Sequence, residues 1–196
     1  MAGHRRLLIG SIVAAVIISI VGGWLLSRGD DSSTDVAAVD DIVLERPGTS
    51  QIPSIGTNAP VQGTSLPTVD LTTNDGGTVV TADLLGQPLV INVWNSTCGP
   101  CKKELPAFAA VHAQYGDRVR FVGVNTLDVP EVNESFARER GVQYELLRDV
   151  DGAFTDAVGI ATQPVTLFVA TDGTIVRQTG VLDEATLQQY VDELLA

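Results

Sequence analysis

A mixed α/β sheet covered by helices on both faces is the fold class this sequence predicts, on three observations. Strand-like and helix-like segments alternate from about residue 63 onward. The run Leu89-Val90-Ile91-Asn92-Val93-Trp94 is apolar enough to be a strand buried on both sides. The chain closes with a hairpin and an amphipathic helix. Taken in order, Val69–Thr73 and Thr78–Thr81 flank Asn74-Asp75-Gly76-Gly77 and read as a hairpin. The buried strand follows, and then Lys102–Tyr115, with Leu105, Phe108, Ala109 and His112 at helical spacing. Arg118–Asn125 is a further strand. Pro130 starts a helix ending near Gly141, with Asp128 close to its cap. Tyr144–Arg148 reads as a short strand and Ala153–Val158 as a brief helix. Val165–Ala170 and Thr174–Thr179 flank Thr171-Asp172-Gly173, another hairpin signal. Leu187, Tyr190, Val191 and Leu194 then mark the closing helix. No internal repeat is present.

The amino terminus sets the compartment. Leu7–Leu26 is 20 residues without a charge, long enough to cross the hydrocarbon core as a helix. Arg5 and Arg6 precede it and Asp30 and Asp31 lie beyond it, which predicts a cytoplasmic N-terminus and an extracytoplasmic remainder. Residues 1–28 are therefore expected to be a single-pass signal anchor. A cleaved secretory signal is the alternative and would give a secreted form; against it, the span exceeds an ordinary h-region and no Ala-x-Ala site follows directly. Residues 29–62 carry Asp30-Asp31-Ser32-Ser33-Thr34-Asp35 and then Pro47, Gly48, Pro53, Gly56 and Pro60, with no helical or strand period. They read as a flexible extracytoplasmic linker spanning roughly 30 Å. Residues 63–196 form the folded domain, large enough to bury a core without structural disulfides.

Charge narrows the partners. From Gly29 on there are 9 Arg or Lys against 24 Asp or Glu, so this part carries −15. Such an acidic surface argues against nucleic acid and against adhesion to anionic lipid.

Both cysteines of the chain lie in Cys98-Gly99-Pro100-Cys101, after a strand and at a helix start. That is the geometry of a dithiol redox site. Cys98 falls where unpaired N–H groups and the helix dipole favour a thiolate. Gly99 and Pro100 let the chain turn into the helix, proline giving up an N–H that has no intrahelical partner there. Cys101 lies one turn deeper. Cys98 is thus expected to attack a disulfide and Cys101 to displace the resulting mixed disulfide. Glu104, three residues after Cys101, shares its inward face, although beside Lys102 and Lys103 it could equally be a solvated helix carboxylate. A carboxylate near the thiols would raise their pKa and accept a proton from Cys101. A CxxC zinc site lacks its two further ligands. Copper binding would want a histidine near the thiols, and His112 is eleven residues past Cys101. No cofactor and no metal is required.

The run from Val90 to Pro106, VINVWNSTCGPCKKELP, resembles the ResA/TlpA-like membrane-anchored thiol–disulfide oxidoreductases of the thioredoxin superfamily. The resemblance covers roughly residues 63–196 and rests on Trp94, the CxxC, Glu104, Pro106 and Pro164 in order. It implies a thioredoxin-like fold with an N-terminal β-hairpin and a central strand–helix insertion. It also implies that Glu104 handles protons at the thiols. Gln163-Pro164 would be the cis-proline loop that faces the CxxC and pairs with substrate backbone. Trp94, Thr97, Gly99, Pro100, Gln163 and Pro164 are expected to form the substrate-binding surface. Pro106 should kink the helix. Three departures stand out: Thr97 replaces a common tryptophan, Gly99 an acidic residue, and Asn92 the buried aspartate of thioredoxin, which leaves Glu104 as the proton acceptor. The implied activity is reduction of extracytoplasmic protein disulfides, such as the haem-attachment cysteines of apocytochrome c, with electrons from a membrane thiol–disulfide carrier. A disulfide-forming oxidase or general exchange enzyme, and a non-enzymatic copper carrier or assembly module, are the competing readings. A peroxidase would want threonine where Asn95 stands.

Overall fold

The computed structural model of the protein describes residues 57–196. The first hairpin is β1 (Asp70–Thr73) and β2 (Thr78–Val80), paired antiparallel. Strand β3 (Leu89–Trp94) leads into α1 (Gly99–Tyr115), and β4 (Arg120–Asn125) into α2 (Pro130–Arg138). The extra strand–helix element is β5 (Glu145–Arg148) with α3 (Ala153–Val158). The closing hairpin, β6 (Val165–Val169) and β7 (Ile175–Thr179), precedes α4 (Glu184–Leu194).

These strands make one seven-stranded mixed sheet in the order β2-β1-β5-β4-β3-β6-β7. β3, β4 and β5 are parallel, while β1 and β6 join them antiparallel. All six residues of β3 are buried, because both faces of the sheet are covered. The strand's alternation sorts them. Val90 and Trp94 pack with Phe121, Leu146 and Phe168 under α1, α2 and α4. Leu89, Ile91 and Val93 pack with Val122, Val124 and Leu167 against Phe154 and Val158 of α3. The parallel strands all end on one side, so the loops after β3, β4 and β5 gather there, as does the loop entering β6.

Opposite Asn92 in the register stands Gly123. A Cβ there would lie 3.0 Å from both Trp94 Nε1 and Leu146 Cδ2 and 3.3 Å from Tyr144 Cε2. Trp94 and Tyr144 are buried and cannot retreat. Gly123→Ala should therefore destabilise by about 1 kcal/mol net of the entropy alanine saves, read as a lower urea midpoint at unchanged slope.

Several expectations need correction. Residues 57–62 are not part of a free linker: Ala59 N donates to Gly159 O and Val61 N to Gln178 Oε1, and Val61 packs on the core. Thr81 opens a 3-10 turn (Thr81–Leu84) rather than ending β2; its hydroxyl donates to Pro67 O and accepts from Val69 N. α2 stops at Arg138, short of Gly141; Asp128 does lie next to its N-cap, Val129, with its carboxylate engaged by Ser96 and Asn125. α1 starts at Gly99 rather than Lys102 and stays one helix through the exposed Pro106. The span Leu7–Leu26 and most of the linker lie outside the described residues, among which no helix is long and apolar enough to cross a membrane.

Candidate active site

Cys98 is the N-cap of α1 and Pro100 lies in its first turn, so the helix begins on the reactive motif. Cys98 and Cys101 are joined as a disulfide with their Cα atoms 5.3 Å apart. Cys101 N donates to Cys98 Sγ at 3.2 Å, so a backbone donor already faces the outer sulfur. That donor and the helix dipole would stabilise a thiolate on Cys98 in the reduced form. Cys98 is half-buried and Cys101 fully buried, which separates an attackable sulfur from a protected one.

One turn past Cys101, Glu104 points into the core with 1% exposure. Asn92 Nδ2 donates to Glu104 Oε1 at 2.8 Å, and Leu182 N to Oε2 at 3.3 Å. Burial pushes the Glu104 carboxyl up to about 7, and the two hydrogen bonds only partly offset it. Near neutral pH this carboxyl exists in both protonation states. The inward reading of Glu104 is therefore the one the fold realises, and the solvated one is not. His112 lies elsewhere, half-buried at the far end of α1 with its ring 5.5 Å from Phe121 and 5.4 Å from Tyr144.

The loop before α1 is shaped by Asn95, the residue that stands where a peroxidase would want threonine. Asn95 Oδ1 accepts from Thr97 N, Thr97 Oγ1 and Cys98 N at 3.0, 2.7 and 2.9 Å, and Asn95 Nδ2 donates to Gln163 Oε1. An asparagine before a tight turn is the available local signal. Asp128, expected only near the start of α2, accepts from Ser96 N and from Asn125 Nδ2 at 2.7 Å each, tying the redox loop to the end of β4. Gln163 Nε2 donates to Thr126 Oγ1 at 2.7 Å. Gln163 thus bridges the loops after β3 and β4, and the Gln163–Pro164 peptide is cis. Thr97, Gly99 and Pro100 are exposed around Cys98, whereas Pro164 is buried at the start of β6.

Trp94 is the exception in the expected substrate surface. It has no exposed area, and its ring stacks on Phe136 at 5.6 Å. It shares the pleat of Val90 and Asn92, so it lies beneath the site and offers no exposed surface. Lys102 and Lys103 are exposed at the start of α1, with the Lys102 ammonium 5.9 Å from the centre of the Phe136 ring. Leu127, Val129, Val150 and Val181 are exposed in loops at this same end of the sheet. The first three line a cavity of about 200 Å³ with Asn125, Asp128 and Arg148. Exposed apolar residues at the end of the sheet that carries Cys98 suit a polypeptide partner.

Comparison with known proteins agrees with this geometry. A family model described as the AhpC/TSA family matches residues 62–185. The chain is 27% identical over 133 residues to the thiol-disulfide oxidoreductase ResA of Bacillus subtilis (strain 168), covering 67% of this chain and 74% of the relative. It is 32% identical over 149 residues to the thiol:disulfide interchange protein DsbE of Pseudomonas fluorescens biotype C, covering 75% and 78% respectively. Among solved structures it is similar to MTB dsbF in its mixed oxidized and reduced forms, with 29% identity, a TM-score of 0.60, and coverage of 69% of this chain and 98% of that one.

Proposed function

From the premise that this chain belongs to the AhpC/TSA family and is a thiol–disulfide oxidoreductase of thioredoxin-like fold, we propose that it works as an extracytoplasmic protein-disulfide reductase. The observation that carries this reading is the stack of a half-exposed Cys98, a buried Cys101 and a buried Glu104 along one face of α1. In the reduced protein the Cys98 thiolate attacks a substrate disulfide. One S–S bond breaks as another forms, and the released substrate thiolate takes a proton from water. Cys101 then gives its proton to the Glu104 carboxylate and attacks Cys98 Sγ. This expels the second substrate thiolate and leaves the Cys98–Cys101 disulfide. Two electrons have moved from protein dithiol to substrate, and a donor dithiol must return them.

Thr97, Gly99, Pro100, Gln163 and Pro164 form the docking edge in this reading, with the exposed apolar residues at the same end of the sheet. The uncharged run Leu7–Leu26 and its flanking charges support a single-pass anchor with the reductase domain outside the cytoplasm. A membrane thiol–disulfide carrier would be the donor. Apocytochrome c cysteines are the substrates that the resemblance of Val90–Pro106 to the ResA/TlpA-like oxidoreductases implies. The deciding measurement is the Cys98–Cys101 reduction potential in a glutathione or dithiothreitol buffer. A value at or below roughly −250 mV is expected; a value near roughly −120 mV would make the protein a disulfide-forming oxidant instead.

A further inference from the structure

The described fold begins at the end of the sheet that carries the disulfide, and its first residues are bonded to the loop that delivers Pro164. Asn58 Oδ1 accepts from Ala161 N and from Thr162 N, both at 2.8 Å, while Asn58 Nδ2 donates to Thr162 O at 3.0 Å. With two N–H groups facing the oxygen and a carbonyl facing the nitrogen, one orientation of the carboxamide satisfies all three. The next residue reinforces the clamp. Ala59 N donates to Gly159 O at 2.8 Å, and Ala59 Cβ sits 2.5 Å from where a side chain on Gly159 would begin. Gly159 has φ +69° and closes α3, so the loop from Gly159 to Gln163 starts at a sharp turn and ends at the cis peptide.

Ala161 and Thr162 are exposed, so burial contributes little to their placement. At the other end, the Gln163 side chain reaches Asn95 and Thr126. The loop is thus held on its inner flank by the redox loop and on its outer flank by Asn58. We propose that Asn58 is a positioning residue for polypeptide substrates, holding the backbone of residues 161–163 on the course along which an extended substrate segment pairs. It touches neither sulfur. This inference rests on the reading of the Pro164 loop as the docking edge given above.

The chemistry separates two kinds of reactant. A small thiol reaches the half-exposed Cys98 without using the loop, whereas a polypeptide needs both. Because the three bonds are exposed, water replaces them when they are lost, and little stability should go with them. The test uses the full chain in detergent, with insulin as the protein disulfide and dithiothreitol as the small thiol. Asn58→Ala should raise the KM for insulin about five- to tenfold with kcat little changed. Its rate of reduction by dithiothreitol and its Cys98–Cys101 potential should match the wild type. Asn58→Asp keeps the acceptor for both N–H groups but sets an oxygen against the Thr162 carbonyl, and should recover only part of the wild-type KM. An unchanged insulin KM in Asn58→Ala sinks the proposal, and so does a loss shared equally with dithiothreitol. If the wild-type chain itself exchanges no disulfide with insulin, the parent reading falls and takes this one with it.

Discussion

Replacing Cys101 with serine is expected to arrest the reaction at the mixed disulfide. In Cys101→Ser, Cys98 keeps its place at the start of α1, its exposure and its helix dipole, so the first attack proceeds. The second step loses its nucleophile. Serine, with its high pKa, cannot displace a thiolate from a disulfide, so the adduct accumulates and turnover falls by about three orders of magnitude or more. Cys98→Ser loses turnover equally but forms no adduct, because the remaining thiol is completely buried. Non-reducing electrophoresis and intact-mass measurement after mixing with insulin distinguish the two variants, and dithiothreitol should release the adduct. An adduct on Cys98→Ser and none on Cys101→Ser would reverse the assignment of attacking and resolving sulfurs.

The asymmetry between the two sulfurs could be read from the chain because it follows from helix geometry alone. A residue at the N-cap faces outward, and residues three and six positions later step inward along one face. The strand β3, the hairpin turns and the amphipathic α4 were legible for a similar reason, since each carries a local period or a turn residue. Trp94 follows the same rule: strand alternation puts it on the pleat of Val90 and Asn92, beneath the helix. Asn58, Asn95 and Asp128 belong to a different class. Each acts through side-chain bonds to backbone atoms, and for Asp128 and Asn58 the partners lie 32 and 104 residues away. Such contacts leave no periodic trace. In the Pro- and Gly-rich stretch before residue 63, an asparagine looks like a linker residue until the loop it binds has been folded beside it. The 3-10 turn at Thr81–Leu84 escaped because a threonine ending a β-branched run reads as strand, and only the Pro67 carbonyl turns its hydroxyl inward.

Glu104→Gln should have the largest effect on pH behaviour, and its sign is set by burial. The Glu104 carboxyl stands at about 7 in the folded protein against an ordinary value of 4.5. Between these values the folded state holds a proton that the unfolded chain has released. The contribution of Glu104 to stability therefore falls as pH rises through this window and levels off above about 7. The half-buried His112, held below its ordinary value by burial, contributes with the opposite sign in both wild type and variant. The full difference is on the order of 3 kcal/mol. Glutamine never ionises, so the variant lacks this contribution and the difference between the two proteins isolates it. The variant should be the more stable protein at pH 8 and should converge with the wild type below pH 5, as urea midpoints of the oxidised proteins at several pH values would show. A stability difference between variant and wild type that does not change from pH 5 to pH 8 would refute the buried, raised carboxyl. The same substitution should slow resolution of the mixed disulfide by about 10- to 100-fold at pH 8, because Cys101 loses its proton acceptor. The wild-type rate should climb as the carboxylate forms and lose that inflection in the variant. Asn92 explains how one cavity tolerates both states. Its Nδ2 donates to the carboxylate, while its buried Oδ1 has no protein partner and, with the amide turned over, can accept from the protonated acid. An aspartate in that position could not donate, and two carboxyl groups so close would compete for one proton. The wild-type chain thus keeps a carboxyl that weakens the fold above neutrality, and the expected gain in stability with loss of rate in Glu104→Gln is what a group retained for proton transfer predicts.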